Sequence, residues 1–212
     1  MADADRPRVA LLFPDQHPAA AAVLARAFVD DPLIRALMPP GESLDTVRRM
    51  TGLFGVILRG HRGSGQPTLG IINDGQVAAA AIVEQVARPQ AAASVVLHGL
   101  PLVPELLRAL GWNGFMRALS LLDTLTRNRP PEPHIYLNIL GVEPVLQRRH
   151  FGSAILDFLR EQALLRGEFA GVYLETATEA NVAYYSRFGY RVLSEIYPLG
   201  VRVWRMLQPR SL

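Results

Sequence analysis

The sequence predicts an α/β protein in which one sheet lies between layers of helix, and three observations predict it. From residue 134 onward, short apolar runs alternate with segments of helical period. Asn73-Asp74-Gly75 sits between two apolar runs as a tight hairpin signal. The chain is 212 residues long and half hydrophobic, enough to bury one real core, so residues 1–212 read as a single domain.

Arg8 to Phe13 is an apolar run that fits a first strand, broken by Pro14-Asp15. An alanine-rich segment ending near Phe28 follows, with Val23, Leu24, Ala27 and Phe28 at helical spacing. Asp30-Asp31-Pro32 stops that helix, because the residue before proline is driven out of helical geometry, and a short second piece spans Leu33 to Met38. Ser43 can cap a helix running to about Arg59, with Leu44, Val47, Leu53, Phe54 and Ile57 on its apolar side. Thr68–Ile72 and Gln76–Val86 form the hairpin, and the nearly unbroken apolar stretch Val77 to Val83 places its second strand inside the sheet.

Leu100 to Arg129 reads as two helices broken at Gly111. Trp112, Phe115 and Met116 there either line a pocket or, as such stripes more often do, join the core. Pro130-Pro131-Glu132-Pro133 closes this insertion as a stiff connector. Strand 134–142, helix 152–166, strand 171–175, helix 181–188 and strands 190–196 and 201–207 complete the chain.

Composition removes several classes of function. No apolar run reaches the roughly 18 residues of a membrane span, and Met-Ala-Asp-Ala-Asp-Arg has neither a basic nor an apolar leader region, so a soluble cytoplasmic protein is expected. Cysteine is absent, which excludes disulfides, thiolate metal sites and a cysteine nucleophile. His17, His61, His98, His134 and His150 never recur at ligand spacing, so no metal is expected. The net charge is +3 and every one of the 22 basic residues is arginine. The arginines are spread along the chain without interleaved stacking aromatics, so no nucleic-acid partner is expected.

The richest segment is Gln147-Arg148-Arg149-His150-Phe151-Gly152-Ser153, set between a strand and the start of a helix. Unpaired N–H groups at such a helix start, joined by two guanidiniums, suit a pyrophosphate. The plainer alternative is a solvated basic helix start.

This block resembles the GNAT superfamily of acyl-CoA-dependent N-acetyltransferases, whose turn carries Gln or Arg, two residues, Gly, one residue, then Gly or Ala. Gln147 and Gly152 match its first and last positions, while His150 stands where the middle glycine belongs. Histidine there loses the freedom and close approach of glycine, although it enters the left-handed region more readily than most residues. Val142-Glu-Pro-Val-Leu-Gln147, Tyr173-Leu-Glu-Thr176, Asn181-Val-Ala-Tyr-Tyr-Ser-Arg-Phe-Gly-Tyr190 and Val203-Trp-Arg-Met206 are most similar to the branch containing puromycin N-acetyltransferase, as is Leu24-Ala-Arg-Ala-Phe-Val-Asp-Asp-Pro32. That branch's tryptophan and proline pattern after the third strand is missing, with Ile82-Val-Glu-Gln-Val86 in its place, which argues against puromycin itself.

The resemblance implies a central mixed, mostly antiparallel sheet flanked by helices, with the helical insertion before the fourth strand. It implies acetyl-CoA as cosubstrate, without a metal, and a small-molecule amine as acceptor, in a monomer or homodimer. Acetyl-CoA would be bound by Leu140, Val142, Gln147, Arg148, Arg149, His150, Phe151, Gly152, Ser153 and Asn181, with Gly141 permitting a local splay of the strand.

Tyr185, four residues before Gly189, matches the family's general acid; its alternative role is to hold helix to sheet, which Tyr184 is expected to do. Glu175, at the end of an apolar strand, is a candidate base, or else a helix cap or an arginine's partner. Asn181 is equally a helix cap. The acceptor is expected between the first two helices and the Ile196–Gly200 turn, where Asp30, Asp31 and Glu84 can attract a cation or simply be solvated. The rival function is a non-catalytic acyl-CoA-binding module, motivated by His150.

Overall fold

Short strands flanked by turn residues and longer segments of helical period resolve into seven strands and six helices in the computed structural model, which describes residues 7–38, 43–87 and 100–210. The Ser43 cap, the apolar role of Leu44, His98 and the leader reading of residues 1–6 lie outside the described residues and side chains. In chain order come β1 (Val9–Leu11), α1 (His17–Ala27), α2 (Pro32–Leu37), α3 (Ser43–Gly63), β2 (Thr68–Asn73) and β3 (Gln76–Val86). They are followed by α4 (Val103–Arg127), β4 (His134–Val142), α5 (Phe151–Arg166), β5 (Gly171–Thr176), α6 (Glu179–Ser186), β6 (Arg191–Ile196) and β7 (Val203–Pro209).

The strands form one sheet in the order β1-β2-β3-β4-β5-β7-β6, antiparallel throughout except for β4 against β5. The mixed, mostly antiparallel sheet and the helical insertion before the fourth strand are therefore as expected. β3 is internal, and Ala78, Ala79, Ala80 and Ala81 within it are fully buried. Small side chains on both faces of that strand let two helical layers approach closely. Ala79, Ala81 and Val83 join Ile135, Leu137, Ile155 and Leu159 in the core beneath α5. Ala80 and Ile82 face Leu24, Phe54, Leu58 and Leu110 of α1, α3 and α4.

Local signals set most boundaries. Asp31 caps α2 by accepting from the N–H groups of Leu33 and Ile34 at 3.0 and 2.9 Å. Gly111 breaks α4 with φ 67° and ψ 175°, as the interrupted period predicts. Two expectations are corrected. Trp112 and Met116, favoured for the core, are 68% and 47% exposed, because the break at Gly111 turns their face outward. Thr178, not Asn181, caps α6: its side chain accepts from the Asn181 N–H at 3.3 Å, leaving Asn181 inside the first turn and exposed.

Gly141 also has a different role from the one expected. Its φ is not left-handed; instead, a Cβ there would lie 2.7 Å from Leu24 Cδ2 and 3.1 Å from Ala27 Cβ. The glycine admits α1 against β4, and Arg26 of α1 clasps Glu143 just beyond that strand with hydrogen bonds from Nε at 2.9 and 3.1 Å.

Candidate functional site

The parallel strands β4 and β5 pair only over Ile135–Leu137 and Val172–Leu174, then part. Asn138 is an extra residue at this point: Ile82 faces Ile139 and Val83 faces Leu137, so the ladder to β3 bulges around it. Beyond the bulge β4 remains paired with β3 through Val142. The Glu143 N–H donates to the Ala78 carbonyl at 2.9 Å, which fixes the alternation of the ladder. Ile139 and Gly141 therefore direct their backbone groups at β3, while Leu140 and Val142 direct theirs into the opening. The splay expected at Gly141 begins three residues earlier, at Asn138.

The turn after β4 supplies a second set of donors. A 3-10 turn, Pro144–Leu146, leads to Arg148 at φ 65° and His150 at φ 63°, both left-handed. His150 thus stands in the left-handed region that glycine enters most readily. The first backbone bond of α5 runs from Ala154 N–H to His150 O at 2.9 Å, leaving the N–H groups of Phe151, Gly152 and Ser153 for another partner. Left-handed residues in such a turn gather amides into an anion-binding concavity.

Gln147, Arg148, Arg149 and His150 are exposed around this concavity. The Ser153 hydroxyl is turned back to the His150 carbonyl at 2.8 Å. Phe151 is 6% exposed and belongs to the core, so only its amide can reach a ligand. At Gly152 a Cβ would lie 3.0 Å from the Tyr184 hydroxyl and 3.6 Å from Val142 Cγ2, so glycine keeps the passage between helix start and strand end open. Tyr184 consequently links α6 to α5, besides packing against the core that the sheet shares, as expected of it.

Tyr185 is half-buried, its ring 5.4 Å from Tyr184 and 5.6 Å from Tyr190. Burial pushes its phenol above the ordinary tyrosine value, and the nearby Tyr184 and Asp31 add to the shift. It is a protonated donor throughout the neutral range.

Glu175 is the first residue of β5 beyond its pairing with β4, at the fork opposite Asn138. The Tyr173 hydroxyl donates to its Oε1 at 2.7 Å, and Arg205, its cross-strand partner, donates from Nε to the Tyr173 oxygen at 3.1 Å. Burial raises the Glu175 pKa, against the opposing effect of the Tyr136 and Tyr173 hydroxyls and of Arg129 and Arg205. Tyr136 carries the Arg129 guanidinium 4.1 Å above its ring. Glu175 is thus a carboxyl in a polar pocket lined by tyrosines and within the field of two arginines, neither of which pairs with it directly among the described residues.

The three acceptor-side carboxylates are not brought together. Asp30 is exposed beside Arg35 at 3.4 Å, and Asp31 is occupied as the cap of α2. Glu84 accepts from Arg129 Nη1 and Asn138 Nδ2, each at 3.0 Å. Among the described residues no group of three or more His, Cys, Asp or Glu is arranged to hold a metal.

Residues 111–190, from the break in α4 through β4 and the turn to the residue before β6, match the family model described as Acetyltransferase (GNAT) family. A Corynebacterium glutamicum structure described as histone acetyltransferase HPA2 and related acetyltransferase superposes with TM-score 0.71 at 20% identity, covering 98% of each chain. Arylalkylamine N-acetyltransferase 2 from Aedes aegypti gives 0.60 at 17% identity, over 96% of this chain and 99% of that one. Drosophila melanogaster polyamine N-acetyltransferase gives 0.58 at 16% identity, over 94% and 97%. The chain has the GNAT fold.

The matched segment and the structural neighbours agree on this fold, and neither distinguishes the puromycin branch. Sequence reasoning missed several residues of this candidate site. Tyr136 and Tyr173 read only as strand aromatics, because their meeting across the parallel pair depends on the β4–β5 register. Asn138 carries no bulge signal of its own. Tyr184 was legible in part, since it adjoins Tyr185, but its reach to Gly152 required two helices to be placed.

Proposed function

We propose that the chain moves an acetyl group from acetyl-CoA to a primary amine of a small molecule by direct attack. The observation that carries this reading is the fork. A β4 edge unpaired beyond Leu137 ends at a helix start whose amides are free, and a carboxyl and a phenol, both raised in pKa by burial, stand on the β5 and α6 side.

The residues fit the cosubstrate. In this reading the amides of residues 151–153, with Arg148 and Arg149, hold the diphosphate, and Gln147, His150 and the exposed Asn181 border it. Leu140 and Val142 offer main-chain groups to the pantetheine arm as a neighbouring strand would. Bound acetyl-CoA supplies an acyl thioester. A β4 amide aimed into the fork stabilises charge on the thioester oxygen. Glu175 accepts the amine proton, directly or through water, and its raised pKa makes it a better base than an exposed carboxylate. Tyr185, protonated throughout the neutral range, gives its proton to the departing sulfur as the C–S bond breaks, and the phenolate regains a proton from solvent.

A small acceptor agrees with the names of the arylalkylamine and polyamine enzymes among the structural neighbours. We further read the chain as a cytoplasmic member of the puromycin-type branch, acting as a monomer or homodimer, on the motifs from 142 to 206. No described helix is long and apolar enough to cross a membrane.

Release of CoA thiol over a panel of small amines tests the proposal. Turnover on at least one amine is expected, with Tyr185→Phe and Glu175→Gln each losing about 10²-fold or more in kcat while retaining acetyl-CoA affinity. Acetyl-CoA binding without turnover on any amine would leave the non-catalytic module as the answer.

A further inference from the structure

The arginines scattered through the sequence are not scattered in space. A groove of about 700 Å³ between α1, α3 and α4 is lined by Arg48, Arg49, Arg59, Arg62 and Arg108, with His17 at one wall and Glu105 as its one carboxylate. The whole chain carries a net charge of only +3, so this groove holds more positive charge than the entire protein shows, and the remainder is slightly acidic. Arg59 is taken by Glu105. Among the described residues Arg48, Arg49, Arg62 and Arg108 have no carboxylate partner, so four guanidiniums remain for something else.

The floor is shaped as well as charged. Positions 48, 52, 55, 59 and 62 of α3 follow one helical stripe, with glycine at two of the central places. A Cβ at Gly52 would meet nothing within 4 Å, and one at Gly55 would meet only Arg59 Nη1, at 3.5 Å. No packing constraint requires either glycine, though glycine weakens a helix interior. Their effect is a saddle, with Arg48 and Arg59 standing about 16 Å apart along the helix at its ends and Arg108 facing them from α4.

We propose that this groove is a binding site for a small, multiply phosphorylated anion, separate from the diphosphate cradle at residues 147–153. Guanidiniums are suited to bidentate contact with phosphate oxygens, and several are needed to offset several phosphate charges. The volume is that of a small-ligand pocket, and the lining contains no Phe, Tyr or Trp on which a nucleic-acid base could stack. The site does not depend on the acyltransferase reading.

Calorimetric titration of the full chain with inorganic tripolyphosphate, with and without saturating acetyl-CoA, tests it. One site is expected, weakened at least about fivefold between roughly 50 and 200 mM salt and undisturbed by acetyl-CoA. The double substitution Arg62→Gln with Arg108→Gln should weaken it at least about tenfold. Gly52→Glu should do the same while the thermal midpoint stays level or rises, because the new side chain enters open space, so loss of binding cannot be ascribed to unfolding. Absence of binding, displacement by acetyl-CoA, or indifference to these substitutions would overturn the proposal. Tighter binding of a duplex of about 20 base pairs, lost in the same variants, would overturn the small-ligand assignment.

Discussion

Glu175 and His150 are the residues whose environments make the sharpest demands. Burial holds the Glu175 carboxyl above its ordinary pKa, so the folded protein keeps this proton to higher pH than the unfolded chain does. The sign follows from linkage: this group supports folding below its unfolded pKa of about 4.3, and that support is lost as pH rises through the raised folded value. Glu175→Gln should therefore gain thermal stability relative to the parent at about pH 8 and lose that advantage at about pH 4, as scanning calorimetry at the two pH values would show. In activity the rising limb of kcat against pH should vanish in the same variant. A limb that persists would assign the base elsewhere. At His150 the left-handed backbone of a non-glycine residue costs about 1–2 kcal/mol, against roughly 0.5–1 kcal/mol of extra chain entropy lost by glycine on folding. His150→Gly should thus change stability by no more than about 1.5 kcal/mol, while tightening acetyl-CoA binding by opening the concavity. Weaker binding in calorimetry would instead make the imidazole a phosphate ligand.

Elements fix the site through two close approaches, and here the limits of a one-dimensional reading are plain. Strands and helices are legible because their apolar periods are strong: β4 is expected at 134–142 and is found there, and Gly111 marks the helix break. Gly141 is legible as unusual but not for the right reason, since only the placement of α1 over β4 shows that Leu24 occupies the space of its missing side chain. Gly141→Val should push α1 away from the strand edge, costing about 1–3 kcal/mol in urea denaturation and lowering kcat. Unchanged stability would mean that Leu24 moves aside freely. Asp31 supports the same region from the other side, capping α2 with two backbone hydrogen bonds. Asp31→Ala should cost about 0.5–2 kcal/mol, whereas Asp31→Asn, which can still cap, should cost much less. The Thr178 cap carries an ordinary start signal, a threonine before an acidic first turn; Asn181 reads as the cap only when the helix is started two residues late.

At the scale of the whole molecule, chemistry depends on contacts far apart in the chain. The fork joins residues near 138 to residues near 175, Arg205 reaches it from the last strand, and the arginine groove gathers three helices. None of these meetings has a local signature, which is why single candidates such as Tyr185 are legible in the sequence while the Tyr136–Tyr173–Glu175 pocket is not. The cradle is legible because all its donors come from seven consecutive residues. This contrast has a measurable consequence, since a ligand that bridges β4, α5 and α6 ties distant parts of the chain together and stabilises only the folded state. Acetyl-CoA at about 100 times its Kd should add about 2.7 kcal/mol, and at roughly 2–4 °C per kcal/mol for a chain of this size the thermal midpoint should rise by about 5–11 °C. Tyr185→Phe, which leaves the cradle intact, should keep that rise. Gly152→Val should lose most of it, because its side chain would enter the passage between Val142 and the Tyr184 hydroxyl. A full rise in Gly152→Val would place the ligand elsewhere and remove the physical basis for the fork as the catalytic centre.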